Sequence, residues 1–256
     1  MKIKLTLLST LLVILFSVDC FAQNTYNEIG VSIGPVSFRG DWGDSGKTGT
    51  NLTNTGVALS VLHYASYAYG RNSYKYFNQH FKVRNQLTIH HTNLEHYGRW
   101  VEREGPPFRL ANMSGATTVV EIGSGLEWNW KNIRDYERQQ NTFQPYAGVG
   151  FNIVYFNTAV ETSLPGEIGS PENTWPTFLP DGSGKEPILN SSEITAALNF
   201  QGGTRYRLNK EIDLFIEGRW HYYFSDFVDG LSPINPNNES NDWIFMLNVG
   251  FTYYLD

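Results

Sequence analysis

Cysteine is almost missing: the 256-residue sequence holds one, Cys20. It sits in a segment patterned as a secretory signal peptide, with basic Lys2 and Lys4, an apolar run over 7–18, and Cys20-Phe21-Ala22 ahead of Gln23. Cleavage after Ala22 is expected. It would remove the cysteine and leave residues 23–256 without disulfides or thiolate chemistry. The apolar run is too short for a comfortable membrane helix and no stop-transfer pattern follows it. Asp19 is a poor substitute for the small residue that usually precedes a lipidated cysteine, so lipidation is not expected.

Charge is scarce as well. Charged residues make up 17% of the chain and the formal net charge is -6, which becomes -7 once Lys2, Lys4 and Asp19 leave. With no basic run, a nucleic-acid partner is not expected. A phosphate-cradling loop is missing too, since Gly202-Gly203 lies in a strand-like segment without the strand-turn-helix context that such a loop needs. No domain boundary, coiled coil or solenoid repeat interrupts the chain.

What the sequence has is alternation. Residues 241–255 put Trp243, Phe245, Leu247, Val249, Phe251, Tyr253 and Leu255 on one face, opposite Asp242, Asn248, Gly250 and Thr252. Ile244, Met246 and Tyr254 break the polar face. A strand alternates with period two, so this stripe lies against a core or against lipid. Aromatics near both ends fit the girdles of a membrane barrel, and the terminal aromatic strand resembles an outer-membrane assembly signal. Seven more segments share the pattern, at 26–38, 55–64, 81–93, 118–130, 143–160, 193–208 and 212–224. Together they predict an all-β fold, an eight-stranded antiparallel transmembrane β-barrel over 23–256. The structural alternative is a soluble β-sandwich with the stripes in its core.

An outer-membrane location in a Gram-negative cell with periplasmic termini would place 39–54, 94–117, 161–192 and 225–240 outside. The connections 65–80, 131–142 and 209–211 would face the periplasm. The first two are longer than the short turns usual on that side. Glycines expected on the inner face, among them Gly123, Gly125, Gly148 and Gly150, leave room in a narrow lumen. That room is expected to hold an ion-pair network of Arg84, Glu121, Glu127, Arg205, Glu217 and Arg219, with Lys82 and Arg84 balancing Glu121 or Glu127.

Candidate chemistry is thin. His90, His91 and His96 cluster in sequence, but His90 and His91 point to opposite faces of one strand, so no metal site is expected. Asp41-Trp42-Gly43-Asp44 lacks the ligand spacing of a calcium loop and reads as an exposed turn. His221 and Ser225 raise acyl hydrolysis, yet four strand residues span about 13 Å, too far for direct contact. No catalytic residue and no cofactor are assigned.

Two stretches carry a resemblance: 76–85 (YFNQHFKVRN) and 93–100 (NLEHYGRW), extended by Ile33-Gly34-Pro35, Gly40-Asp41-Trp42-Gly43 and 144–150 (QPYAGVG). They resemble a family of small outer-membrane barrels common in Bacteroidota and related to PorG of the type IX secretion and gliding machinery. The resemblance implies a non-enzymatic membrane anchor or accessory component of a secretion or gliding complex. It also implies outer-membrane lipids and a periplasmic ring lipoprotein, or another component of that machinery, as partners. Tyr74, Tyr76, Phe77, Arg134, Tyr136 and Arg138, in the two long connections near the chain ends, are the expected contacts. A small-molecule binding or passive transport barrel is the alternative function.

Overall fold

The computed structural model describes residues 25–42, 53–70, 72–98, 101, 108–182, 184, 186–234 and 241–255. The expected cleavage after Ala22, and Gly43-Asp44 of the candidate turn, lie outside these residues. Eight strands, β1 (Tyr26–Arg39), β2 (Thr55–Ser66), β3 (Phe81–Glu95), β4 (Met113–Asn129), β5 (Phe143–Thr162), β6 (Ser192–Arg207), β7 (Ile212–Tyr223) and β8 (Trp243–Tyr254), close into one antiparallel barrel. Each strand pairs with its sequence neighbours, and β8 returns to β1 through pairs such as Val249↔Ile33 and Tyr253↔Ile29.

Closure satisfies every strand edge, and alternation does the rest. Ile33, Leu59, Ile153 and Val249 point away from the lumen, with Ile33 53% and Val249 54% exposed. Register places them level around the wall, as Ile33↔Leu59, Leu59↔Ile89, Ile122↔Ile153 and Ile216↔Val249. A continuous exposed apolar belt of this kind is costly in water and fits the hydrocarbon of a bilayer. Among the described residues no helix is long and apolar enough to cross a membrane; the strands would do so. A two-sheet sandwich is ruled out by the closed strand order.

The inner face has two storeys. At the end where β1 begins and β8 stops it is ionic and tyrosine-rich. Toward the opposite, loop-bearing end it turns apolar. Phe38, Trp42, Leu94, Met113, Phe156 and Ile244 are buried there with Val228, Leu231 and Phe178 from the loops. Asn54 ties this cap together, donating to the carbonyls of Trp42 and Glu95 (3.3 and 3.2 Å) and accepting from the Glu95 amide (3.0 Å). Ile188 and Leu231 add an isolated antiparallel bridge.

Short helices occupy connections in which the sequence shows no periodic pattern: α1 (Tyr76–His80), α2 (Phe108–Ala111) and α3 (Ile133–Glu137). The α3 turn starts where Asn132 accepts a hydrogen bond from the Arg134 amide at 3.0 Å. In the tight β6–β7 turn the Asn209 side chain accepts from the amides of Glu211 and Ile212, both at 2.8 Å, which holds 209–211 as a compact bend.

Candidate functional site

The lumen charges stand on neighbouring strands at matched heights. Strand β3 supplies Lys82 and Arg84, β6 Arg205 and Arg207, and β7 Asp213, Glu217 and Arg219; Glu28 comes from β1 and Glu127 from β4. Period-two alternation turns all of them inward, and each is at most 3% exposed. Arg84 grips Glu217 with both terminal nitrogens, one of them at 3.0 Å, and lies 3.7 Å from Glu127. Arg205 donates to Glu127 at 2.6 Å and to Glu28 at 3.0 Å. Arg219 donates to Glu217 at 2.7 and 2.9 Å, and to Ser60 and Thr88 at 3.2 and 3.3 Å.

Around this column, Lys82 pairs with Glu28 and lies 3.9 Å from Glu137. Tyrosines complete the packing. Arg205 sits over the Tyr64 ring at 4.3 Å, and the Tyr146 hydroxyl donates to Glu217 at 3.0 Å. Gly123 and Gly148 supply space: a Cβ on the first would collide with Asn152 Oδ1, and on the second with Gln201 Nε2. The amide side chains of the next strands fill what the glycines leave open.

Glu121 departs from the expected grouping with arginines. It sits six residues along β4 from Glu127, about 20 Å away by strand rise, level with two imidazoles instead. His221 Nδ1 lies 2.6 Å from its carboxylate and His90 Nε2 3.6 Å, while the Tyr223 hydroxyl donates at 2.8 Å. Likewise Lys82 balances Glu28, and Arg84 reaches Glu217 ahead of Glu127, because β1 and β7 face β3 across the narrow lumen. Sequence offers no cue to partners across a barrel. The alternation gives the face and the register gives the height, but the third coordinate needs closure.

The three clustered histidines separate. His90 faces the lumen, His91 is on the outer face, where Thr118 and Asn93 hydrogen-bond it, and His96 stacks on Trp42 in the cap at 4.5 Å. Burial pushes the His96 imidazole down to about 3. Among the described residues no group of His, Cys, Asp or Glu is arranged to hold a metal ion. His221 is engaged by Glu121, whereas the Ser225 hydroxyl accepts from the Phe227 amide at 3.2 Å, so the two do not meet.

At the end where β1 begins and β8 stops, the expected contact residues divide. Tyr74 is the most open at 73% exposure. Phe77 stacks on Phe81 at 4.8 Å, and the Tyr76 hydroxyl accepts from Trp128 Nε1 at 3.1 Å. Phe81 and Trp128 belong to the outward face, so α1 extends the aromatic girdle there. Tyr136 is a correction. It is 1% exposed, because α3 turns its ring inward across the barrel mouth. Arg134 lies over the Tyr69 ring at 5.3 Å, and Arg138 closes α3.

No protein-family model matches the chain, and no curated protein matches it. Solved structures do resemble it in fold. Ail, the attachment invasion locus protein of Yersinia pestis, has 9% identity over 91% of this chain and 100% of its own, with a TM-score of 0.44. A major outer membrane protein from Thermus thermophilus has 11% identity over 90% and 99%, at 0.45. The outer membrane enzyme PagL has 6% identity over 88% and 97%, at 0.36. Likenesses this distant assign no activity to this chain.

Glu127 is the carboxylate that Arg205 holds at 2.6 Å and Arg84 approaches, so Glu127→Gln leaves two buried guanidinium groups short of charge compensation. Unfolding in detergent should show a stability loss on the order of a few kcal/mol, with the folded, heat-modifiable form still obtained. An unchanged denaturation midpoint and slope would argue against direct pairing.

The cap carries a pH dependence of its own. Asp229 accepts from the amides of Asp41 (2.6 Å) and Leu231 (2.8 Å), and Asp242 accepts from the Asp229 amide (3.0 Å). Burial, aided by Asp226, raises Asp229 to about 8. Burial, together with the charges of Asp229, Asp41 and Asp226, lifts Asp242 well above the usual carboxylate range. The folded cap therefore holds a proton that the unfolded chain releases near pH ~4. Its stability falls as pH rises from about 4 through 8. Amide exchange at Asp41 and Leu231, corrected for intrinsic rates, should accelerate between about pH 5.5 and 8.5, and Asp229→Asn should flatten the trend. A pH-independent cap in the unaltered protein would contradict this.

Proposed function

We propose that the chain is a non-enzymatic barrel of a Gram-negative outer membrane, with both chain ends periplasmic, that anchors or assists a secretion or gliding complex. The observation that carries this reading is the filled lumen. Arg84, Arg205, Arg219, Tyr64 and Tyr146 occupy the interior from several walls, each 4% exposed or less, and they serve packing and charge compensation. A barrel so occupied offers its ends as working surfaces. The end where β1 begins and β8 stops carries two helical connections, the exposed Tyr74 and the cations Arg134 and Arg138, the residue types that anchor protein interfaces. The resemblance of 76–85 and 93–100 to barrels related to PorG supports a periplasmic ring lipoprotein as the partner.

Affinity capture of the tagged full chain from native membranes tests the role. Recovery of a periplasmic ring lipoprotein, weakened at least severalfold by Tyr74→Ala, is the expected result. Deletion of the gene with type IX cargo export and gliding unchanged would overturn the proposal.

A further inference from the structure

A cavity of about 650 Å³ opens inside the barrel mouth at the end where β1 begins and β8 stops. It lies on the lumen side of the wall, since Tyr26, Arg207 and Tyr254 share the inward face with Glu28, Arg205 and Asp213. Its walls are aromatic and cationic. Tyr26 and Tyr69 hold their rings 4.3 Å apart at 33°, and Arg207 lies over the Tyr254 ring at 4.1 Å. Arg138 and Gln140 from the α3 connection and Lys210 from the β6–β7 turn also line it, and neither cation has an ion-pair partner among the described residues.

The one carboxylate in the lining does little to cancel these charges. Glu137 accepts from the Tyr69 hydroxyl at 2.6 Å and lies 3.9 Å from Lys82, which ties it to the interior column. Burial raises its carboxyl above the ordinary range, which disfavours its anionic form further. Arg207 is fixed by Asp213 at 3.2 Å and by the Lys210 carbonyl at 2.6 Å, and its buried Nε has no hydrogen-bond partner. A cavity open at the barrel mouth, with flat aromatic walls and an excess of cationic side chains, recognises a ligand of matching make-up. The size lies in the range of small-ligand pockets.

We infer that this mouth cavity binds an organic carboxylate carried beside a flat apolar group, either as a free aromatic acid or as an acidic peptide segment. The carboxylate meets Arg138 and Lys210 at the rim, and the flat group packs on Tyr26 and Tyr69. The inference does not depend on the anchoring role.

Calorimetric titration of the detergent-solubilised full chain tests it with two probes, N-acetylphenylalanine and the peptide acetyl-Glu-Phe-Glu-amide. Saturable binding of at least one is expected, weakened tenfold or more in the Arg138→Gln/Lys210→Gln double variant, whose heat-modifiable mobility verifies the fold. Arg39→Gln, at the far end of β1, should bind as the unaltered protein does. Saturation by the free acid assigns a small-molecule ligand; saturation by the peptide alone assigns a segment of a protein. If neither probe saturates, or if a folded double variant binds as tightly as the parent, the inference is wrong. Should the double variant fail to fold, Tyr69→Leu takes its place, with the same tenfold loss expected and undiminished binding counting against the site.

Discussion

Charge compensation inside a closed wall is the constraint on which this molecule depends. Eight paired strands leave no edge and keep the inward side chains from lipid, and the packing of the narrow bore keeps the ionic column from water as well. A guanidinium in such a place is tolerated only with a carboxylate at hydrogen-bonding distance. Arg84, Arg205 and Arg219 each meet that demand, and they share Glu28, Glu127 and Glu217 so that every carboxylate serves more than one strand. The pairs therefore cross-brace the wall: β6 is fastened to β1 and β4, and β3 to β7. The same column fills the bore. Stability and the filling of the bore have one cause.

Above that column the chemistry changes because the surroundings change. Strands of 12 to 20 residues rise past the belt on the loop-bearing side, where loops can fold over the opening. There the inner face carries Val36, Phe38, Ile244 and Met246 and packs against loop residues as a small water-soluble core would. The Trp42 indole donates to the Asp229 carbonyl at 2.9 Å, linking that apolar core to the buried aspartates. One barrel thus combines an ionic interior behind the apolar belt with an apolar interior at its capped end.

Much of this is legible in the sequence. Period two determines which residues share a face, and the glycines of β4 and β5 mark where side chains of adjacent strands intrude. Ile244 and Met246 stand out as apolar residues on a polar face; they are the inward-facing edge of the cap core, a meaning that only the folded loops give them. Partner choice is not legible. Glu121 and Glu127 look alike in the alternation, yet their heights on β4 assign one to histidines and the other to arginines. Tyr136 escapes sequence reading for a related reason, since a five-residue helix turns its side chains with a period of about 3.6 and sends this ring inward. Such a short helix leaves too few residues for its period to show.

Arg84, Arg205, Arg219 and the tyrosines around them close the bore, and everything above depends on that closure. Ion conductance of the purified full chain in a planar lipid bilayer tests it most directly. Insertion without unitary currents, at a baseline equal to that of the lipid alone, is the predicted result. Stable and reproducible single-channel steps would contradict it.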